Sequence, residues 1–219
     1  MRDWLARALA FVARAEHAAI AARGEFHIVL AGGGTPRRLY SALAGQSHDW
    51  PLWRVWFGDE RCLPADHPER NSRMAREAWL DRVAMPAGNI RPMPAELGAQ
   101  AGAEAYAAGL AGLGDFDLVL LGLGEDGHTA SLFPGREWGE SESAPDALPV
   151  FDAPKPPPER ISLSARRLSR AHRVLFLVSG AGKRRALEDW REGAPIAAAA
   201  IRPAAGVDVL MDAEASPEG

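Results

Sequence analysis

The chain has 219 residues, 47% of them hydrophobic and 25% charged, with a formal net charge of −4, which suits one globular domain with a sizeable core. That charge excludes a globally basic surface and hence general nucleic-acid binding, and the lone cysteine, Cys62, excludes an internal disulfide and a cysteine-built zinc site. No segment is long and apolar enough to span a bilayer, and Asp3, Arg7 and Arg14 break up the N-terminal stretch that a signal peptide needs, so the expected location is cytoplasmic, with no membrane partner.

In chain order, Leu5, Leu9, Val12, Ala15 and Ala19 recur at helical spacing and predict an amphipathic helix from Trp4 to about Ala22. Phe26 to Ala31 predicts a short buried strand, broken by Gly32-Gly33-Gly34-Thr35-Pro36. Pro36 is expected at the first position of a helix that runs through Leu39 and Leu43. A second strand, Trp53 to Phe57, ends in Gly58-Asp59-Glu60-Arg61, and a polar loop through His67 and Asn71 leads to a helix from Met74 to Leu80. A weak strand is predicted at Asn89–Met93, an alanine-rich helix from Ala99 to Leu113, and a central strand at 117–122. Residues 135–160 are rich in Gly, Ser, Glu and Pro and predict an irregular excursion, at the surface or over the site. Strand 172–178, helix 181–190 and strand 206–211 close the chain. Strands alternating with helices predict a mostly parallel, doubly wound α/β sheet.

The most informative run is Leu118-Val119-Leu120-Leu121-Gly122-Leu123-Gly124-Glu125-Asp126-Gly127-His128-Thr129. Four apolar residues read as a buried strand, and ligands in such sheets bind just beyond the strands' carboxyl ends. A histidine on close-approaching glycine backbone there is well placed for proton transfer, so His128 is the candidate catalytic residue. The alternative is a structural turn with a satisfied histidine. The letters also fit the G-x-G-x-x-G dinucleotide fingerprint, but Pro134 and Gly135 leave room for only a turn or two of helix, and two carboxylates repel a pyrophosphate. No nucleotide cofactor is expected.

Gly32-Gly33-Gly34-Thr35 is a second strand-to-helix turn. Bare backbone N–H groups at a helix start favour an anion, most simply a phosphate, on Gly33, Gly34 and Thr35; a plain turn capped by Thr35 is the alternative. A third turn, Ser179-Gly180-Ala181-Gly182-Lys183, puts Lys183 in a first helical turn, where an anionic ligand offsets its unfavourable charge. Neither turn has the Walker spacing. Asp59-Glu60-Arg61 shares the same rim: an acid there could orient a base or a sugar hydroxyl, and Arg61 could hold an oxyanion or phosphate, or the three could form a salt-bridged loop. His128 lacks a second histidine at ligand spacing, and no metal site is expected.

Three segments, Ala31-Gly32-Gly33-Gly34-Thr35-Pro36, then Phe57-Gly58-Asp59-Glu60-Arg61 with His67-Pro68 and Asn71, then Gly122 through Gly135, resemble the 6-phosphogluconolactonase family, and Lys155-Pro156-Pro157-Pro158-Glu159-Arg160-Ile161-Ser162-Leu163-Ser164 is similar to the family's segment after the active-site loop. The resemblance implies a single-domain three-layer α/β/α sandwich over 1–219 and a metal- and cofactor-free hydrolase of the oxidative pentose phosphate pathway, a monomer or weak homodimer. Its substrate would be 6-phospho-D-glucono-1,5-lactone, with His128 as acid and base, Asp126 or Asp59 fixing the imidazole or the sugar hydroxyls, and phosphate on Gly33, Gly34, Thr35 and Lys183. The related glucosamine-6-phosphate deaminase/isomerase family shares the glycine turn and the Asp-Gly-His core. It carries a glutamate where this chain has Phe133 and a tyrosine where it has Arg61, and both departures favour the lactonase. Ala165-Arg166-Arg167 departs from the lactonase pattern, which leaves Arg167 either on phosphate or facing solvent. A non-catalytic sugar-phosphate binder is the reading from another class, but no spare DNA-binding segment accompanies the domain.

Overall fold

A computed structural model describes residues 2–216. Five parallel strands, β1 (Phe26–Leu30), β2 (Trp53–Phe57), β4 (Phe116–Gly122), β7 (Ala171–Val178) and β8 (Val207–Met211), form a sheet in the order β2-β1-β4-β7-β8. β4 is central: Ile28 pairs with Leu118 on one side, and Val119 with Val174 on the other. Its apolar run is buried on both faces, as covered parallel strands require. Helix α1 (Arg2–Arg23) packs with α2 (Gly34–Leu43) and meets β1, β4 and β8; the Trp4 indole donates to the Leu210 carbonyl at 3.0 Å. In α2, Pro36, Leu39, Tyr40 and Leu43 are the buried stripe.

The strand order dictates where a ligand goes. From β1 the chain moves outward to β2, then crosses back over β1 to reach β4. The reversal opens a crevice past the carboxyl ends of β1 and β4, the topological switch point. Both glycine turns emerge there.

A second, antiparallel sheet of order β3-β6-β5 stands beside that crevice, built from β3 (Asp59–Arg61), β5 (Ala147–Val150) and β6 (Arg160–Leu163). Asp59-Glu60-Arg61 is thus a strand, with Asp59 opposite Ser162 and Arg61 opposite Arg160. Gly58 joins the sheets, its N–H donating to Leu30 O and its carbonyl accepting from Leu163 N. The 135–160 excursion holds β5, whose Pro149 sits on an edge strand, where a missing N–H is tolerated. The small sheet packs against α4 (Ala99–Gly109), which stops four residues before the expected Leu113, ahead of a turn at Gly112 with φ +78°.

Other boundaries differ from expectation. Asn89–Met93 is no strand: only Ile90 bridges to Val55. Pro36 is the third residue of α2, not the first; Gly33 (φ +103°) precedes the helix. Helix α3 (Asn71–Ala78) begins three residues before Met74, because the Glu60 carboxylate accepts the N–H groups of Asn71 and Ser72 at 2.7 and 2.8 Å. Lys183 ends a short 3₁₀ turn, Ala181–Lys183, and α6 (Arg184–Arg191) follows it.

Candidate active site

Three backbone turns meet at the crevice around a cavity of about 400 Å³. The first follows β1. Tyr40 Oη donates to Ala31 O and accepts from Ala31 N, fixing the chain as it leaves the sheet. Gly32 must be glycine: a Cβ there would lie 2.1 Å from Asn71 Oδ1. Gly33 and Gly34 then open onto the cavity with the first N–H groups of the ten-residue helix α2 behind them. Thr35 Oγ1 lies 2.6 Å from Ser179 Oγ, tying this turn to the one that follows β7 and carries Lys183.

The turn after β4 carries the histidine. Gly124 N donates to His128 O, Gly127 N to Gly124 O, and Thr129 Oγ1 to Gly122 O, closing the loop on itself. His128 Nδ1 sits 2.5 Å from Asp126 Oδ1, which also accepts the His128 backbone N–H. A carboxylate on Nδ1 keeps the neutral ring's proton there and leaves Nε2 as the basic nitrogen. Burial alone would raise the Asp126 carboxyl; the hydrogen bonds from His128 outweigh it and hold Asp126 below the usual range. The imidazole rests against the Phe133 ring, centroids 4.8 Å apart. Gly124 lies beneath the imidazole, where a Cβ would come within 2.1 Å of His128 Nδ1 and 2.6 Å of Asp126 Oδ1. Gly124→Ala is therefore expected to break this pair and lower kcat by at least tenfold (about 1.4 kcal/mol or more) with a small effect on KM; unchanged steady-state kinetics would refute the contact.

The third wall is the small sheet. Asp59 is buried, and burial pushes its carboxyl above the usual range. Its Oδ1 accepts from Asn71 Nδ2 at 3.0 Å and its Oδ2 from Ser131 Oγ at 2.6 Å. That second bond anchors the histidine loop just past Ala130, whose φ of +49° is unusual for a residue with a Cβ. Arg61 and Arg160 line the cavity side by side.

The model of a family described as glucosamine-6-phosphate isomerases/6-phosphogluconolactonase matches residues 2–212. The chain belongs to that family. Among relatives within the glucosamine-6-phosphate isomerase/6-phosphogluconolactonase family, the 6-phosphogluconolactonase of Synechocystis is 44% identical over 195 residues, 83% of this chain and 78% of that protein. The Mycobacterium leprae 6-phosphogluconolactonase is 38% identical over 90% of this chain and 87% of its own. The crystal structure of the Thermotoga maritima 6-phosphogluconolactonase superimposes with a TM-score of 0.88 at 26% identity, covering 95% of this chain and 94% of that one. The Trypanosoma brucei enzyme gives 0.86 at 30% identity over 97% and 93%.

On this family fold, Gly33, Gly34, Thr35, Asp59, Arg61, His128 and Lys183 all line one cavity, with Asp126 behind His128. Arg167 does not join them. It is fully buried in helix α5 (Ala165–Ser169), its guanidinium stacked over Phe116 at 4.0 Å and donating to the Gly114 carbonyl. It therefore neither holds phosphate nor faces solvent; burial lowers it to about 10, partly offset by Asp146. At Cys62, burial, then the Glu159 charge, push the thiol up to about 11, which disfavours the thiolate. Asn71, Ser131, Ser179, Lys155 and Arg160 also belong to the site; Asn71 ends the polar loop that begins at His67, and Lys155 and Arg160 flank the proline run expected at the surface or over the site. Among the described residues no cluster of three or more His, Cys, Asp or Glu has metal-holding geometry, and no helix is long and apolar enough to cross a membrane.

Proposed function

We propose that the chain hydrolyses 6-phospho-D-glucono-1,5-lactone to 6-phospho-D-gluconate. The observation that carries this is the Asp126–His128 pair, 2.5 Å apart, on the same cavity as the glycine turn and Lys183. The backbone of Gly33 and Gly34, the Thr35 hydroxyl and the Lys183 ammonium hold the phosphate on C6, and binding energy spent far from C1 orients the lactone carbonyl.

Water then attacks C1 while His128 Nε2 takes its proton. The tetrahedral intermediate collapses with cleavage of the bond from C1 to the ring oxygen, which receives that proton from His128. Asp126 holds the Nδ1 proton and stabilises the imidazolium that forms between the two steps. Arg61 contributes positive charge at the cavity wall. Asp59 has both oxygens engaged, by Asn71 and Ser131, and is best read as the anchor of the histidine loop. No carboxylate stands at Phe133, where the deaminase pattern needs one. A charged sugar phosphate cannot cross membranes unaided, which fits an enzyme that shares a compartment with its substrate.

The test is hydrolysis of freshly generated lactone, coupled to 6-phosphogluconate dehydrogenase and corrected for spontaneous opening. A rate well above background is expected; none withdraws the proposal. In the same assay Lys183→Ala is expected to raise KM about tenfold, the loss of one charge-assisted hydrogen bond, with kcat changed little. An unchanged KM removes Lys183 from the phosphate site.

A further inference from the structure

The chain holds 25 lysines and arginines, yet only two are lysine, Lys155 and Lys183. Both line the one cavity described above. Neither ammonium forms an ion pair with a carboxylate among the described residues. Lysine differs from arginine as a compact charge with three freely rotating donors, suited to the terminal oxygens of a phosphate rather than to planar pairing.

Lys155 sits on a strap of four prolines, Pro154 and Pro156 to Pro158, that is held from below. Arg160 is 6% exposed; its guanidinium donates to Lys155 O at 2.7 Å and to Pro157 O at 3.2 Å, and lies over the Phe133 ring at 5.4 Å. Ala153 N to Pro158 O closes the strap, and Cys62 N to Glu159 O ties it to the small sheet. Proline removes backbone freedom, so the strap presents Lys155 at the cavity rim with little backbone entropy left to lose. A phosphate monoester carries nearly two negative charges at neutral pH. Lys183 supplies one compensating charge, and two of Arg160's nitrogens are committed to carbonyls.

Resting on the lactonase reading, we infer that Lys155 is a second phosphate-recognising cation, positioned by Arg160 through the strap, and that it sets the preference for phosphorylated over unphosphorylated lactones. Calorimetric binding of the product, 6-phosphogluconate, tests this apart from catalysis. In Lys155→Ala the Kd is expected to rise about tenfold, the low end for a charged hydrogen bond at a partly exposed site, and Lys155→Arg recovers most of it. The ratio of kcat/KM for the phosphorylated lactone to that for glucono-1,5-lactone falls by a similar factor. An unchanged Kd, or no 6-phosphogluconate binding by the wild-type protein, overturns the inference. Hydrolysis by a wild type whose Lys155→Ala variant binds normally defeats only the lysine's role. Product binding without hydrolysis defeats only the lactonase reading. Arg160→Ala is expected to raise the Kd as Lys155→Ala does, with the double variant no worse than either; additive losses would mean that Arg160 does not act through Lys155.

Discussion

Replacing His128 with asparagine is expected to lower kcat by about 10²–10⁴ and to leave KM nearly unchanged. Asparagine approximates the size of the near half of the imidazole and can still meet Asp126, but it cannot take a proton from water and return it to the ring oxygen. The phosphate groups, Gly33, Gly34, Thr35 and Lys183, belong to other turns of the cavity, so ground-state binding survives. Residual turnover comes from orientation and the surrounding charges. Steady-state kinetics after subtraction of spontaneous opening decides the matter: a variant within threefold of wild type would strip His128 of its role as acid and base.

The second large effect is on stability. Glu60 is fully buried, and its carboxylate accepts the N–H groups of Arg61, Asn71 and Ser72 while Arg70 Nε lies 3.3 Å away as an ion-pair partner. Arg70 is buried as well, with further bonds to Leu63 O, Met93 O and Glu96. Glu60→Ala uncovers the first N–H groups of α3 and leaves a buried guanidinium short of one counter-charge, an expected loss of about 3 kcal/mol. For a chain of this size that is roughly 6–12 °C in Tm. Urea unfolding should show the same loss, and a change below about 1 kcal/mol would refute the assignment. Activity should fall too, since Asn71 opens α3 and its side chain donates to Asp59.

What could be read from the residues follows from how local each signal is. β1, β4 and β7 announce themselves by the apolar runs Ile28–Leu30, Leu118–Leu121 and Val174–Val178, because both faces of a parallel sheet are covered, and the turns after them are visible as glycines. The place of His128 on the cavity was legible for the same reason. Asp59-Glu60-Arg61 was not legible as a strand. Three consecutive charged residues suggest a loop, and what makes them a strand is remote: pairing with β6, about a hundred residues later, and the amides of α3 that receive Glu60. The start of α3 was misplaced for that reason. Arg167 shows the reverse error. Beside Arg166 it reads as a phosphate ligand or a solvent-facing charge, but its stem and guanidinium fill the space over Phe116, and a carbonyl at Gly114 satisfies two of its nitrogens.

The cavity wall begins at Ala31 and is not complete until Lys183, so its pieces lie far apart along the chain and meet only through the pairing of β1, β4 and β7. Contacts of such long sequence separation form late, after the loop-closure entropy of every intervening segment has been overcome. Catalytic competence is consequently a property of the finished topology: no contiguous fragment short of about 150 residues contains the catalytic pair together with both phosphate-facing turns.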